Sequence, residues 1–218
     1  MTAAAPRVSL AVAAWSRARP HLRLKIFGIS AFITVFFIGY FLLQNHPFFP
    51  VHVIPLTAVD RAIPFAPWAL GLYLSLWFYV SLPPTLLRTK PELYAYGWMA
   101  GAVAVTGLAF FFLWPTSIPV TTGIEWREYP GFGWLKSIDA AQNACPSLHV
   151  AFAVFSGVWL DRALRHMPKS AITRTINAAW AFGIVYSTLA TRQHVALDAY
   201  AGTALGLFAA WFRPSALK

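Results

Sequence analysis

The chain has 218 residues, 58% of them hydrophobic and 11% charged, where an ordinary water-soluble domain carries about 25% charged residues; a freely soluble globular domain is excluded. Seventeen Lys and Arg against seven Asp and Glu leave a net charge of +10. No basic stripe with interleaved aromatics lies in a soluble stretch, so the charge reads as membrane topology and not as a nucleic-acid surface. The single cysteine, Cys145, rules out an intrachain disulfide and argues against a thiolate metal site.

Residues 1–25 form a basic segment in which Arg7, Arg17, Arg19, Arg23 and Lys25 stand among Ala, Val and Leu. The pattern fits an interfacial amphipathic helix, with a solvated basic tail as the alternative. Six apolar runs follow, at 26–44, 66–82, 94–114, 147–160, 175–190 and 195–212. They predict an all-α, polytopic domain over 26–212, a bundle of six transmembrane helices, with a short tail at 213–218. The first run is too long for a signal-peptide core, and Gln44-Asn45-His46-Pro47 after it is no cleavage site. Gly97-x-x-x-Gly101 and Gly202-x-x-x-Gly206 predict close helix approach. The long loop 115–146 carries Trp126, Tyr129, Phe132 and Trp134, and reads either as a lid or re-entrant segment or as a passive aromatic belt.

With the N-terminus inside, thirteen Lys and Arg fall on inside segments and four (Arg61, Arg127, Lys136 and Arg192) on outside ones. This bias places both termini in the cytoplasm. It also places the starts of the fourth and sixth spans together at the outer face, and each start carries a polar cluster. Ionisable residues at such positions are functional candidates.

In the later cluster His194 and Asp198 are four residues apart, which on a helix puts them on one face. A carboxylate there fixes the imidazole tautomer and aims the other ring nitrogen, so His194 reads as a nucleophile. Arg192 offers a fork for phosphate oxygens. In the earlier cluster Pro146 suits the first turn of a helix, whose free amides, with the Ser147 hydroxyl, make an anion site. His149 then stands as general acid. A zinc site of His149, His194 and Asp198 is disfavoured, because Arg192 would repel the ion; neither a metal nor a cofactor is expected. His21, His46, His52 and His166 read as interfacial residues without a catalytic role.

These clusters resemble the type 2 phosphatidic acid phosphatase superfamily of lipid phosphatases and phosphotransferases. Its Pro-Ser-x-His motif is matched in full by Pro146-Ser147-Leu148-His149. In its Ser-Arg-x-x-x-x-x-His-x-x-x-Asp motif, His194 and Asp198 are intact, but Arg192 stands two residues before the histidine, and the sixth position back is Thr188. The family's Lys-x-x-x-x-x-x-Arg-Pro motif is absent where the chain reads Trp114-Pro115-Thr116-Ser117-Ile118-Pro119, which leaves Lys136 or Arg127 as stand-in cations. These departures look more like the branch that includes inositol phosphorylceramide synthase.

The resemblance implies a phosphohistidine on His194, with His149 protonating the leaving group and Asp198 orienting His194. It implies a membrane lipid phosphate as substrate, phosphatidate or a polyprenyl pyrophosphate for example, hydrolysed at the extracytoplasmic face. The alternative is transfer of a phospho-alcohol head group to ceramide, diacylglycerol or a similar acceptor. A non-enzymatic membrane protein on the same fold is the third reading. Ala- and Arg-rich usage points to the cytoplasmic membrane of a bacterium.

Overall fold

Ser9 opens the first helix, α1 (Leu10–Ala18), its hydroxyl accepting from Val12 N at 3.3 Å. A computed structural model describes residues 9–138 and 142–212; Arg7 in the basic segment, and the tail 213–218 with Arg213 and Lys218, lie outside the described residues. Leu10, Ala13 and Ala14 pack inward while Val12 and Trp15 face out, so this stretch is a helix with apolar residues on both its inner and outer sides. The buried Lys25 ammonium donates to the Arg17, Ala18 and Thr85 carbonyls at 2.7, 3.2 and 2.8 Å. It thereby satisfies groups left over at the ends of two helices.

Among the described residues two helices are long and apolar enough to cross a membrane: α2 (Leu22–Asn45), and α7 (Lys90–Leu113), which Thr89 and Glu92 start with a capping box. The run expected as one helix over 66–82 is broken. A 3₁₀ turn (Pro67–Ala69) leads into α4 (Leu70–Leu74), α5 (Leu76–Tyr79) and α6 (Leu82–Leu86). Pro67, Pro83 and Pro84 bring no amide to the ladder. Ser75 turns its hydroxyl onto Leu72 O (2.6 Å) and takes Trp180 Nε1 (2.9 Å), marking the break between α4 and α5.

The remaining long helices are α9 (Leu148–Leu164), α10 (Ser170–Ala190) and α11 (Ala196–Trp211). The chain is mostly helical, with one exception to the all-α expectation. The Pro-punctuated segments 47–55 and 115–119 cannot extend a helix, and their backbone groups pair with each other. β1 (His52–Val53) lies parallel to β2 (Thr116–Ser117), and Ser117 bridges Gln142. A short α3 (Ala58–Ala62) follows β1, and α8 (Phe132–Ile138) lies in the long loop. There Phe132 is fully buried, clustered with Phe65, Trp126, Tyr129 and Tyr73, while Trp134 faces out. Most of the loop's aromatics therefore form a folded cap.

Trp159 packs edge-on against Tyr96, Arg162 donates to Ala210 O at 2.7 Å, and Leu148 abuts Gly107. The helices thus alternate in direction. The described Lys and Arg of 17–25, 88–90 and 162–174 lie at one end of the bundle, and His149 and His194 at the other.

The two glycine pairs behave differently. A Cβ on Gly202 would sit 2.3 Å from Ser147 O, and one on Gly206 2.5 Å from Ala151 O, so α11 lies backbone-to-backbone on α9. Gly97 and Gly101 face open space and bring no helices together; the expected close approach at that pair is not found. Gly202→Ala and Gly206→Ala should each destabilise the protein by about 1–3 kcal/mol through overpacking. Gly97→Ala and Gly101→Ala should be neutral or gain up to about 1 kcal/mol. Unfolding midpoints of the purified variants in detergent check this.

Candidate functional site

The turn after α10 is wound on its own polar groups. Thr191 Oγ1 donates to Ser187 O at 2.6 Å, and Gln193 N and His194 N both donate to Thr188 O, at 3.1 and 3.0 Å. Arg192 takes the left-handed conformation (φ 55°) that reverses the chain. His194 lies in this turn and not on the helix, so the shared helical face expected for His194 and Asp198 is not how they meet. Asp198 is the third residue of α11 and folds its carboxylate back over the helix start. Its Oδ2 accepts from Val195 N at 3.3 Å and lies 3.2 Å from His194 Nδ1. An Nδ1–H donated there leaves Nε2 as the aimed lone pair. Asp198 is fully buried, and its Oδ1 has no hydrogen-bond partner among the described residues.

In the earlier cluster Pro146 stands before the helix and not in its first turn. Ser147 is the N-cap, its Oγ accepting from Val150 N at 3.2 Å. Its own amide donates to Asp198 O at 3.0 Å, which joins the two polar clusters main chain to main chain. Buried Thr116 steadies the approach, accepting from Ala144 N (3.1 Å) on its carbonyl and from Cys145 N (2.8 Å) on its hydroxyl. Burial, with the Asp198 charge adding to it, pushes the Cys145 thiol up to about 11. The thiol therefore stays protonated at neutral pH and is no nucleophile.

His149 is the second residue of α9. Its ring stacks on Tyr73 (centroids 4.0 Å apart, 11° between planes) with Trp77 edge-on at 6.3 Å. Its centroid lies 6.4 Å from that of His194. His149 Nε2 is buried without a partner among the described residues. Such an orphan is rare and calls for a water or a ligand group. Two imidazoles forty-five positions apart in the chain thus converge at one place.

The other predicted phosphate ligands make the following contacts. The Arg192 fork, read from sequence as a phosphate clamp, donates to the Asp60 and Ile63 carbonyls at 2.9 and 2.8 Å. Lys136 lies over the Trp126 ring at 4.9 Å, and Arg127 is exposed on the Trp126–Glu128 turn.

Asp60 is a residue the sequence reading passed over. It is 2% exposed. Its Oδ1 accepts from Ala196 N at 2.7 Å, and its Oδ2 from Thr57 N and Thr57 Oγ1, each at 2.7 Å. With Ala66 N donating to Ala190 O at 2.8 Å, segment 57–66 clasps both ends of the His194 turn. Thr57-x-x-Asp60 is a legible capping box, but nothing local signals that its carboxylate also caps a helix at residue 196.

Beside the histidines opens a groove of about 640 Å³, walled by α2, the α4–α5 stretch, α7 and α9, with Trp134 and Leu135 at its rim. Its lining is overwhelmingly apolar and aromatic. The arrangement sets two facing imidazoles, one oriented by a carboxylate, at the edge of a greasy channel.

The sequence pattern of the PAP2 superfamily matches residues 68–217, which takes in both histidine clusters. No curated protein and no solved structure matches the chain. The matched region exceeds half of the chain, and the protein belongs to the PAP2 superfamily, whose members are generally phosphatases or phosphotransferases.

Proposed function

We propose that this is an integral membrane lipid phosphatase working through a phosphohistidine on His194. The observation that carries the reading is the facing imidazole pair, 6.4 Å apart, with Asp198 on His194 Nδ1 and His149 Nε2 unpartnered. That spacing lets one tetrahedral phosphoryl group touch both rings. His194 Nε2 attacks phosphorus while the bond to the lipid oxygen breaks, and protonated His149 gives that oxygen its proton. Water then attacks the phosphohistidine, giving a proton to the now neutral His149 as the P–N bond breaks, which releases phosphate, frees His194 and restores protonated His149. Ser147 accepts from Val150 N and keeps its O–H for a phosphate oxygen.

The catalytic domain is residues 26–212, crossing the bilayer six times, behind an interfacial basic segment and ahead of a cytoplasmic tail. Clustering of Lys and Arg at the end opposite the histidines supports cytoplasmic termini and an extracytoplasmic site. A bacterial cytoplasmic membrane suits this arrangement.

One observation favours a second reading. With Arg192 Nη1 and Nη2 each donating to a carbonyl, fewer of its N–H groups are left for a phosphate, which suits a singly charged diester better than a dianionic monoester. Head-group transfer from a phospholipid to an acceptor alcohol follows, as in the branch that includes inositol phosphorylceramide synthase. Purified protein given labelled lipid phosphates, with and without acceptor, separates the readings: free phosphate marks hydrolysis, and a new phosphodiester marks transfer.

His194→Ala should abolish turnover together with any acid-labile phosphoenzyme, and His149→Ala should lower kcat about 10²–10⁴-fold; full activity in the His194 variant ends the assignment.

Asp60 and Arg192 act in this reading as positioning residues. Asp60→Ala and Arg192→Ala should each cost up to about 10²-fold in kcat. The double variant should cost little more than the worse single one, because both open the same clasp. A large rise in KM for Arg192→Ala, with multiplying effects in the double variant, would return Arg192 to the phosphate.

A further inference from the structure

α2 follows a 3.6-residue stripe along the groove, from Leu24 and Gly28 through Phe32 and Phe36 to Tyr40 and Phe41. From Leu24 to Phe41 the wall runs roughly 26 Å at 1.5 Å per residue. The hydrocarbon of one leaflet is about 15 Å deep, half of a core of about 30 Å. The groove is thus longer than one leaflet, while its volume of about 640 Å³ is that of a pocket for one drug-sized molecule.

Its two ends differ chemically. The near end holds His149 and His194, and Tyr40 is fixed at that level, its carbonyl accepting from Asn143 Nδ2 at 3.0 Å. The far end holds Lys25, whose ammonium is already committed to three carbonyls. A phosphate head group therefore belongs at the near end and a tail in the channel. Toward the far end two lining glycines face each other's wall, Gly28 on α2 and Gly97 on α7. A Cβ on either would meet nothing within 4 Å. Gly28 lies about 18 Å along the helix from Tyr40, deeper than one leaflet reaches.

Resting on the lipid-phosphate reading above, we propose that the channel takes one hydrocarbon tail longer than a leaflet, and that Gly28 and Gly97 keep its far half open, so that the preferred substrate is a long single-chain lipid phosphate.

The test uses two alkyl monophosphates, one with a tail longer than a leaflet and one about half that length, each carrying a diazirine at the tail end. With full-length protein in detergent, the long probe should label the region of residues 24–33 or 93–98, and the short one the region of 36–41. The long-to-short ratio of kcat/KM should fall about tenfold in Gly97→Leu, the order of loss expected when a leucine side chain overfills space that only the long tail needs. Gly28→Leu, on the opposite wall, should do the same and serves if the first variant folds poorly. Long-probe labelling spread evenly over the outward Leu207, Phe208 and Trp211, or an unchanged ratio in both variants, overturns the proposal. Deep labelling without any turnover that His194→Ala removes leaves the channel standing and overturns the phosphatase reading instead.

Discussion

Ser147 N donates to Asp198 O, and one turn along α11 Gly202 lies against Ser147 O. This double contact, possible only where one helix carries no side chain, fixes the start of α9 against the start of α11. His149 is two residues past Ser147, and His194 four before Asp198. Their separation is therefore set by main-chain atoms, the stiffest part of a protein. A rigid seat of this kind suits two groups that must touch one phosphorus atom, since small misplacements are costly in such chemistry. Gly206 repeats the contact one turn further on, against Ala151 O, so the two helices cannot pivot about a single point.

Two buried carboxylates meet at the start of α11, Asp60 and Asp198. Burying a carboxylate costs heavily unless its lone pairs are satisfied. Asp60 is satisfied by Thr57 N, Thr57 Oγ1 and Ala196 N, with each carboxylate oxygen engaged. Asp198 has Val195 N and His194 on one oxygen and, among the described residues, no partner on the other. The helix N-terminus favours negative charge at both. The asymmetry divides the labour: Asp60 is saturated and holds structure, whereas Asp198 keeps capacity in reserve, beside the ring whose charge changes during the proposed reaction.

The parts of this architecture set by composition and local motif were legible. Five of the six apolar runs correspond to one helix each, because length and hydropathy are summed over many residues; the run at 66–82 is broken into short pieces. Pro146-Ser147-Leu148-His149 and His194-x-x-x-Asp198 do converge. The reasons for convergence were not legible. The spacing of His194 and Asp198 works through a carboxylate folded back onto a helix start, not through one helical face. Arg192 is near the site in sequence, but its Nη1 and Nη2 each donate to a carbonyl some 130 positions away. Asp60 is invisible for the same reason: its partner, Ala196, is 136 positions distant. The break at Ser75 depends on Trp180, which no local pattern announces.

The glycine motifs show the limit most clearly, since one spacing serves opposite ends. At 202 and 206 the missing side chain admits a neighbouring backbone, and at 97 it leaves a space that none of the described residues fills. What keeps that space from closing is the attachment of α2. The helix is pinned near one end by Lys25 reaching Thr85 O and near the other by Tyr40 O on Asn143. Between the pins its inner stripe faces α7 across Gly28 and Gly97. In water, apolar walls spaced in this way would be driven together. Among hydrocarbon chains that drive is absent, since lipid tails are as apolar as the walls themselves. A groove lined with Phe32, Phe36 and Trp77 is then stable when a tail occupies it, and in the proposed reaction the same solvent that permits it supplies the molecule whose head group sits between His149 and His194.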